Sequence, residues 1–304
     1  MSGKLESVLR RGDFALTAET TPPDAGTASP VTARVACLRG LADAVNVTDG
    51  AGARAHMSAL AAAAVLAKNG IEPVMQMTLR DRNRLALQAD LMGAGALDVP
   101  NILCLRGDDV TAGDQPEAKA VFDVDTLTLV RTARAMRDDG VLPHGRKVEP
   151  KLKMFIGVAD TPIEPKAGWR PDGLLAKLAA GADFVQTQYC FDVGLLRRYL
   201  AALADHGVPD SVFLIIGIGP IASARAARWM SDNLFGVSVP APIVERLERA
   251  TDPRAESIRI CVDLMQEIAE IPGVAGAHLM APRAEEAIAE AIDASGLLAR
   301  RKAA

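Results

Sequence analysis

Three polar clusters stand out in this 304-residue chain because each follows directly on a short apolar run. Glu19 ends the run Phe14 to Glu19 and is followed by Thr20, Thr21, Pro22 and Pro23, so the chain must leave along an extended path. A carboxyl half withdrawn from water there is suited to general acid chemistry, and a salt-bridged rim residue is the plainer reading. The segment Leu105-Arg106-Gly107-Asp108-Asp109 carries a guanidinium, a flexible glycine and two carboxylates, which suits close approach of a ligand or, equally, a surface ion pair. Gln186 and Gln188 are two residues apart, so on a strand both amides point to one face. There they can donate to and accept from the edge of a heterocycle, or be satisfied inside the fold. Other polar residues also close apolar runs: Thr48 with Asp49, Gln76 with Thr78, Asp160, and His278.

Positioning these groups falls to an alternation of β-branched runs with amphipathic, Ala/Leu/Arg-rich segments, the pattern of parallel strands joined by crossover helices. Strands are expected over Phe14 to Glu19, Ala44 to Thr48, Pro73 to Thr78, Asn101 to Leu105, Lys153 to Ala159, Phe184 to Gln188, Val212 to Ile218 and Ala275 to Met280. Helices are expected near Thr32 to Leu41, His56 to Lys68, Arg82 to Gly93, Thr126 to Asp138, Gly173 to Ala180, Gly194 to Asp205, Ser223 to Asn233 and Ala284 to Ala294. Eight such units suit an α/β (β/α)8 TIM barrel, a single domain over residues 1–304, with an open doubly wound sheet as the alternative. An extra helical insertion at about 240–272, with segments Pro242 to Arg249 and Ala255 to Ile271, precedes the last strand and is expected to cap one rim. In a barrel the carboxyl ends of the strands carry the chemistry, which is where the clusters fall.

Composition narrows the partners. With 34 Lys+Arg against 38 Asp+Glu the net charge is -4, which disfavours nucleic acid and anionic membranes as partners. The charged stretch Met1 to Asp13 lacks the apolar run of a signal peptide, and no stretch of ~20 apolar residues follows, so a cytoplasmic location is expected. Cys37, Cys104, Cys190 and Cys261 are far apart and read as reduced thiols. The four histidines lack metal-ligand spacing, so no metal site is expected. Gly50-Ala51-Gly52-Ala53-Arg54-Ala55 formally matches a dinucleotide-binding turn, but the only acid at the proper remove is Glu72, and a plain glycine-rich turn is the commoner explanation. Apolar helix faces and the insertion leave room for a homo-oligomer interface.

Taken together, Ala18-Glu19-Thr20-Thr21-Pro22-Pro23, Leu105-Arg106-Gly107-Asp108 and Thr187-Gln188-Tyr189-Cys190-Phe191-Asp192 resemble the methylenetetrahydrofolate reductase family, from Glu19 to about Arg283. The resemblance implies a (β/α)8 flavoprotein that reduces 5,10-methylenetetrahydrofolate to 5-methyltetrahydrofolate, with hydride passing from NADH or NADPH through FAD. It assigns Glu19 as the general acid that assists formation of a 5-iminium cation, and Asp108 as the carboxylate that tunes flavin and pterin electrostatically. Gln188 would contact folate and nicotinamide in turn, and Arg283 would serve the folate. Thr48, Gln76, Arg106 and Lys177 fall at flavin-holding positions, together with Asp108.

Two departures accompany the likeness. The family's Phe-Glu-Phe-Phe-Pro-Pro is here Ala-Glu-Thr-Thr-Pro-Pro, and the histidine often found on the third strand is Gln76. Aromatic residues are only 4% of the chain, so few rings are on hand to stack on a flavin, pterin or nicotinamide; Tyr189, Phe191 and Phe235 are the nearest. Alternatives are therefore direct hydride transfer from NADH without flavin, a folate-dependent methyltransferase, or a non-catalytic folate-binding subunit.

Overall fold

The apolar runs form eight strands: β1 (Ala15–Thr20), β2 (Ala44–Val47), β3 (Pro73–Thr78), β4 (Asn101–Leu105), β5 (Phe155–Asp160), β6 (Phe184–Tyr189), β7 (Phe213–Ile218) and β8 (Val274–Leu279). Each pairs in parallel with its sequence neighbour and β1 pairs with β8, so the sheet closes into a (β/α)8 barrel and the open doubly wound sheet is excluded. The computed structural model describes residues 3–208 and 212–303. Helix α1 (Lys4–Arg10) precedes β1. Then α2 (Ser29–Val35), α3 (Ala59–Lys68), α4 (Arg84–Ala96), α5 (Thr126–Asp138), α6 (Asp172–Ala180) and α7 (Val193–Asp205) follow β1 to β6 in turn. Three helices, α8 (Ala224–Asn233), α9 (Ala241–Arg249) and α10 (Pro253–Ala269), separate β7 from β8, and α11 (Glu285–Ser295) and α12 (Leu297–Ala303) close the chain. Among the described residues no helix is long and apolar enough to cross a membrane.

Capping side chains fix two helix starts two or three residues later than the apolar period suggests. Ser58 accepts from the Ala61 N–H, and Asn83 accepts from the Leu85 and Ala86 N–H groups, so α3 begins at Ala59 rather than His56 and α4 at Arg84 rather than Arg82. The expected helix Thr32 to Leu41 divides into α2 and a 3-10 turn, Ala36–Leu38. β5 starts at Phe155 rather than Lys153 because Phe155 is the first residue in register with β4, opposite Asn101.

The insertion before β8 is present, but its helices exchange roles with the helix ahead of it. α10 packs on β7, β8 and α11 and so fills the outer-ring place expected of α8. α8 buries only Ala227 and instead turns Ala226, Trp229 and Met230 toward the barrel mouth. The physical reason is burial: α10 has six buried residues, including Ile260, Leu264 and Ile268, and can cover a strand pair, whereas α8 cannot.

Inside the barrel the period-2 alternation sorts residues by height. The lowest layer is apolar, with Ala15, Ala44, Val74, Leu103, Phe155, Phe184 and Ile215 packed against Leu5, Val8 and Leu9 of α1. Phe155 and Phe184 stack at 5.0 Å, and Gly157 makes room for them, since a Cβ there would lie 2.3 Å from the Phe184 ring. Helix α1, unforeseen because seven residues give too short a period to read, thus plugs the amino-terminal end. Glu72 holds the plug by accepting from the Lys4 and Leu5 N–H groups (the latter at 2.9 Å) and from Asn101 Nδ2 at 2.9 Å. Glu72 therefore stands at the opposite end of the strands from the Gly50–Ala55 turn, which removes that turn as a ribose-binding fingerprint. Arg301 of α12 donates to both oxygens of buried Asp43, at 3.0 and 2.8 Å, tying the last helix to the same end.

Leu5 is fully buried in this plug. Leu5→Ala is expected to destabilise the fold by about 2–5 kcal/mol, read as a lower urea midpoint.

Candidate active site

At the carboxyl end of the strands a cavity of about 830 Å³ opens, lined from all seven βα units that precede β8 and from His278 of β8 itself. Glu19, Asp108 and Gln188, drawn from three different units, all face it, as do Thr48, Gln76 and Arg106. Lys177 and Arg283 do not line it. Lys177 Nζ donates to the Ala159 carbonyl at 2.7 Å and lies 3.9 Å from Asp160 Oδ1, while exposed Arg283 sits in the left-handed region (φ 60°) just beyond Pro282 on the rim.

Glu19 sits on the last inward step of β1, its side chain 21% exposed. Gln76 Nε2 donates to Glu19 Oε2 at 2.8 Å, and His278 Nε2 lies 3.6 Å from the same oxygen. Both contacts fall on Oε2, leaving Oε1 to serve a ligand. Beneath lies a buried polar layer of Thr17, Asn46, Gln186 and His278. Asn46 Nδ2 donates to Gln186 Oε1 at 2.6 Å, and Gln186 Nε2 donates to Asn46 Oδ1 at 3.1 Å and to Thr17 Oγ1 at 3.2 Å. Thr17 Oγ1 also lies 3.0 Å from His278 Nδ1 and 3.4 Å from the Ala277 carbonyl, which joins the imidazole to the layer while its Nε2 faces Glu19. The layer is a rigid floor that fixes the height and the hydrogen-bonding sense of the residues above it.

Gln186 and Gln188 share the inward face but differ in depth. Gln186 is buried in the floor, whereas Gln188 lies within a break in the β6–β7 register between Gln186 and Tyr189. The break also brings Tyr189 to the cavity, where its ring stacks on Phe191 at 5.3 Å and its hydroxyl donates to the Met280 carbonyl at 3.0 Å. Opposite, the Asp108 carboxylate accepts from the Gly52 N–H at 2.9 Å, and the Arg106 guanidinium lies 4.9 Å above the Phe122 ring. Thr48 Oγ1 is buried without a hydrogen-bond partner, a polar atom on the cavity wall that a ligand would satisfy.

Polar residues line the cavity from β1 to β6, and His278 adds one from β8. Across from them Pro220, Ile221, Ala222, Ala226 and Met230 form an apolar wall that ends in Trp229, whose indole is 56% exposed. A polar half facing an apolar half suits a flat, amphipathic ring system. Asn46, Thr17 and Trp229 were not singled out from sequence. The first two carry a legible signal, being inward partners at two-residue spacing of Thr48 and Glu19; Trp229 carries none, because its exposure to the mouth follows from the displacement of α8. Phe191 is buried behind Tyr189, and Phe235 is 84% exposed, off the cavity wall.

A family model described as methylenetetrahydrofolate reductase matches residues 4–296. The chain belongs to the methylenetetrahydrofolate reductase family. It is similar to methylenetetrahydrofolate reductase 2 of Schizosaccharomyces pombe, 26% identical over 260 residues that make up 83% of this chain and 40% of that protein. It is also similar to a probable methylenetetrahydrofolate reductase (NADPH) of Caenorhabditis elegans, 24% identical over 78% of this chain and 34% of that one. The chain thus spans about two fifths or less of the length of these relatives. Among solved structures, an uncharacterized protein from Clostridium thermocellum that binds two copies of 5-methyl-5,6,7,8-tetrahydrofolic acid superposes with a TM-score of 0.60. The two share 15% identity over 96% of this chain and 99% of that one, a likeness of fold. Within the family frame, the departure at Gln76 has a local consequence: from the third strand an amide rather than an imidazole reaches Glu19.

Of the chain's two tyrosines, Tyr199 is buried and Tyr189 is partly buried at the cavity wall. Burial pushes the Tyr189 phenol up from its ordinary 10, with the Glu19 charge adding to it, and burial followed by Asp160 does the same for Tyr199. Their native-state stabilisation is complete below the ordinary phenol pKa and is lost as pH rises toward the higher native values. In an alkaline titration, tyrosinate absorbance is expected to appear together with loss of the native circular dichroism rather than in an earlier step near the ordinary value.

Proposed function

We propose that this chain reduces 5,10-methylenetetrahydrofolate to 5-methyltetrahydrofolate with hydride supplied by NADH or NADPH. The observation that carries the reading is the convergence of Glu19, Asp108 and Gln188 on one cavity in a chain whose residues 4–296 match the reductase family. Glu19 is the general acid, giving a proton to the ring nitrogen that leaves as the imidazolidine opens, so that the exocyclic methylene becomes an electrophilic iminium. Gln76 and His278, both directed at Oε2, hold the carboxyl in place for that transfer. The Asp108 carboxylate stabilises the cation electrostatically from the other side of the cavity. Gln188 reads the donor and acceptor edge of the pterin, and afterwards of the nicotinamide.

FAD fits the polar half of the cavity. The unpaired Thr48 hydroxyl, the Gln76 amide and the Arg106 guanidinium are suited to its carbonyl, ring-nitrogen and phosphate groups, with Asp108 beside them. When bound, the flavin supplies two-electron carriage between nicotinamide and folate. Lys177, engaged with the Ala159 carbonyl, would serve a phosphate only after leaving that bond. The scarcity of cavity rings favours weak flavin binding, or direct transfer from NADH to the iminium, as the second reading.

Protein purified with added FAD and then desalted separates the two by colour. Retained flavin absorbance supports the flavin route, and a colourless protein that still forms 5-methyltetrahydrofolate from NADH supports the direct route. A protein that binds 5-methyltetrahydrofolate yet oxidises neither NADH nor NADPH would overturn the reductase reading. Glu19→Gln is expected to slow the folate step by 10²–10⁴-fold while leaving NADH oxidation by an artificial electron acceptor unchanged. Equal losses in both would remove Glu19 from the acid role.

A further inference from the structure

Directly after β3, Arg80 is 3% exposed, and its guanidinium is the meeting point of three loops at the cavity rim. Its Nε and Nη2 donate to the two Asp81 oxygens, each at 2.7 Å. Nη2 also donates to the Gly50 carbonyl of the β2 loop at 3.2 Å, and Nη1 to the Asp108 carbonyl of the β4 loop at 3.4 Å. Backbone bonds reinforce the junction, since Leu79 N–H donates to the Arg106 carbonyl at 3.2 Å and Val121 N–H to the Arg80 carbonyl at 2.7 Å. Both ends of the loop after β4 are therefore moored to the residues around Arg80.

The two loops also touch each other. The turn Ala51–Ala53 packs on the turn Val110–Ala112, so closely that a Cβ on Gly113 would lie 2.0 Å from the Ala53 carbonyl oxygen. Gly50 is in the left-handed region (φ 59°), and a Cβ there would lie 2.3 Å from Arg80 Nη2, so the glycine is what lets the guanidinium reach the backbone. Asp108, itself exposed, has its carboxylate held by the Gly52 N–H two residues beyond Gly50. Arg80 thus grips the backbone of Asp108 on one side and, through Gly50, the loop that supplies its hydrogen-bond donor on the other.

We propose that Arg80 is a positioning residue that clamps the β2 and β4 loops together and thereby fixes the Asp108 carboxylate at the cavity mouth. A planar fork of five donors can bridge Asp81, Gly50 and Asp108 at once, whereas a lysine ammonium keeps the charge but not the fork. Were Arg80 present only to offset the carboxylates of Asp81, Asp108 and Asp49, lysine would replace it. The catalytic part of the inference rests on Asp108 serving the folate reduction proposed above; the clamp itself does not.

Hydrogen exchange followed by mass spectrometry on the full chain, comparing wild type, Arg80→Lys and Asp108→Asn, tests the clamp without reference to activity. Arg80→Lys is expected to lose protection in residues 50–54 and 107–113 while the barrel strands exchange as in wild type, and Asp108→Asn to lose it at 50–54. Unchanged loops in Arg80→Lys, or loss spread through the strands, would overturn the clamp. In steady-state folate reduction Arg80→Lys is expected to lose on the order of 10²-fold in kcat/KM, the cost of a catalytic group misplaced by about 1 Å. Added to Asp108→Asn it should cost little more, because both act through one carboxylate. Losses that multiply would show that Arg80 acts elsewhere. A wild-type chain with no folate reduction would refute the function and leave the exchange comparison to decide the clamp.

Discussion

A parallel sheet closed by β1 pairing with β8 leaves every inward side chain pointing at one axis, so whatever polar groups the strands carry inward must satisfy one another or a ligand. The chain meets that constraint in layers. Its lowest layer is apolar and stoppered by α1, its middle layer is the closed set of hydrogen bonds among Thr17, Asn46, Gln186 and His278, and only the top layer is open. Because the floor satisfies itself, the reactivity of the barrel is concentrated in the layer above, where Glu19 and Gln76 meet and the Thr48 hydroxyl has no partner.

That arrangement explains why the carboxyl of Glu19 is steady in a site so poor in rings. Its neighbours are an amide and an imidazole, both directed at one oxygen, rather than the aromatic surroundings that the resemblance leads one to expect. Aromatic support has shifted to the far wall, where Tyr189 stacks on Phe191 and Trp229 stands at the mouth. The polar side chains thus come from β1 to β6 and from β8, and the apolar wall from the segment after β7 and from α8.

The displacement of α8 is the feature that makes the second half. Once α10, with its broader apolar face, covers β7 and β8, α8 is free to leave the outer ring and line the cavity. The same economy holds on the opposite rim, where two glycine-bearing loops are joined by a buried guanidinium instead of a hydrophobic contact. Buried charge of this kind is costly unless it is paired and hydrogen-bonded, and Arg80 makes its bonds to one carboxylate and two carbonyls.

By itself the sequence determined the eight-strand alternation, the place of the insertion, and the polar ends that gather at the mouth, because two-residue and 3.6-residue periods are written locally and a barrel puts strand ends together. Glu19, Thr48, Gln76, Arg106, Asp108 and Gln188 were legible on those grounds. Sheet closure, the plug made by α1, the exchange of roles between α8 and α10, the register break that admits Tyr189, and the Arg80 junction were decided only in the tertiary structure. Each depends on which of two surfaces buries more, or on which backbone carbonyl lies within reach of a distant side chain, and neither is recorded in the spacing of residues along the chain.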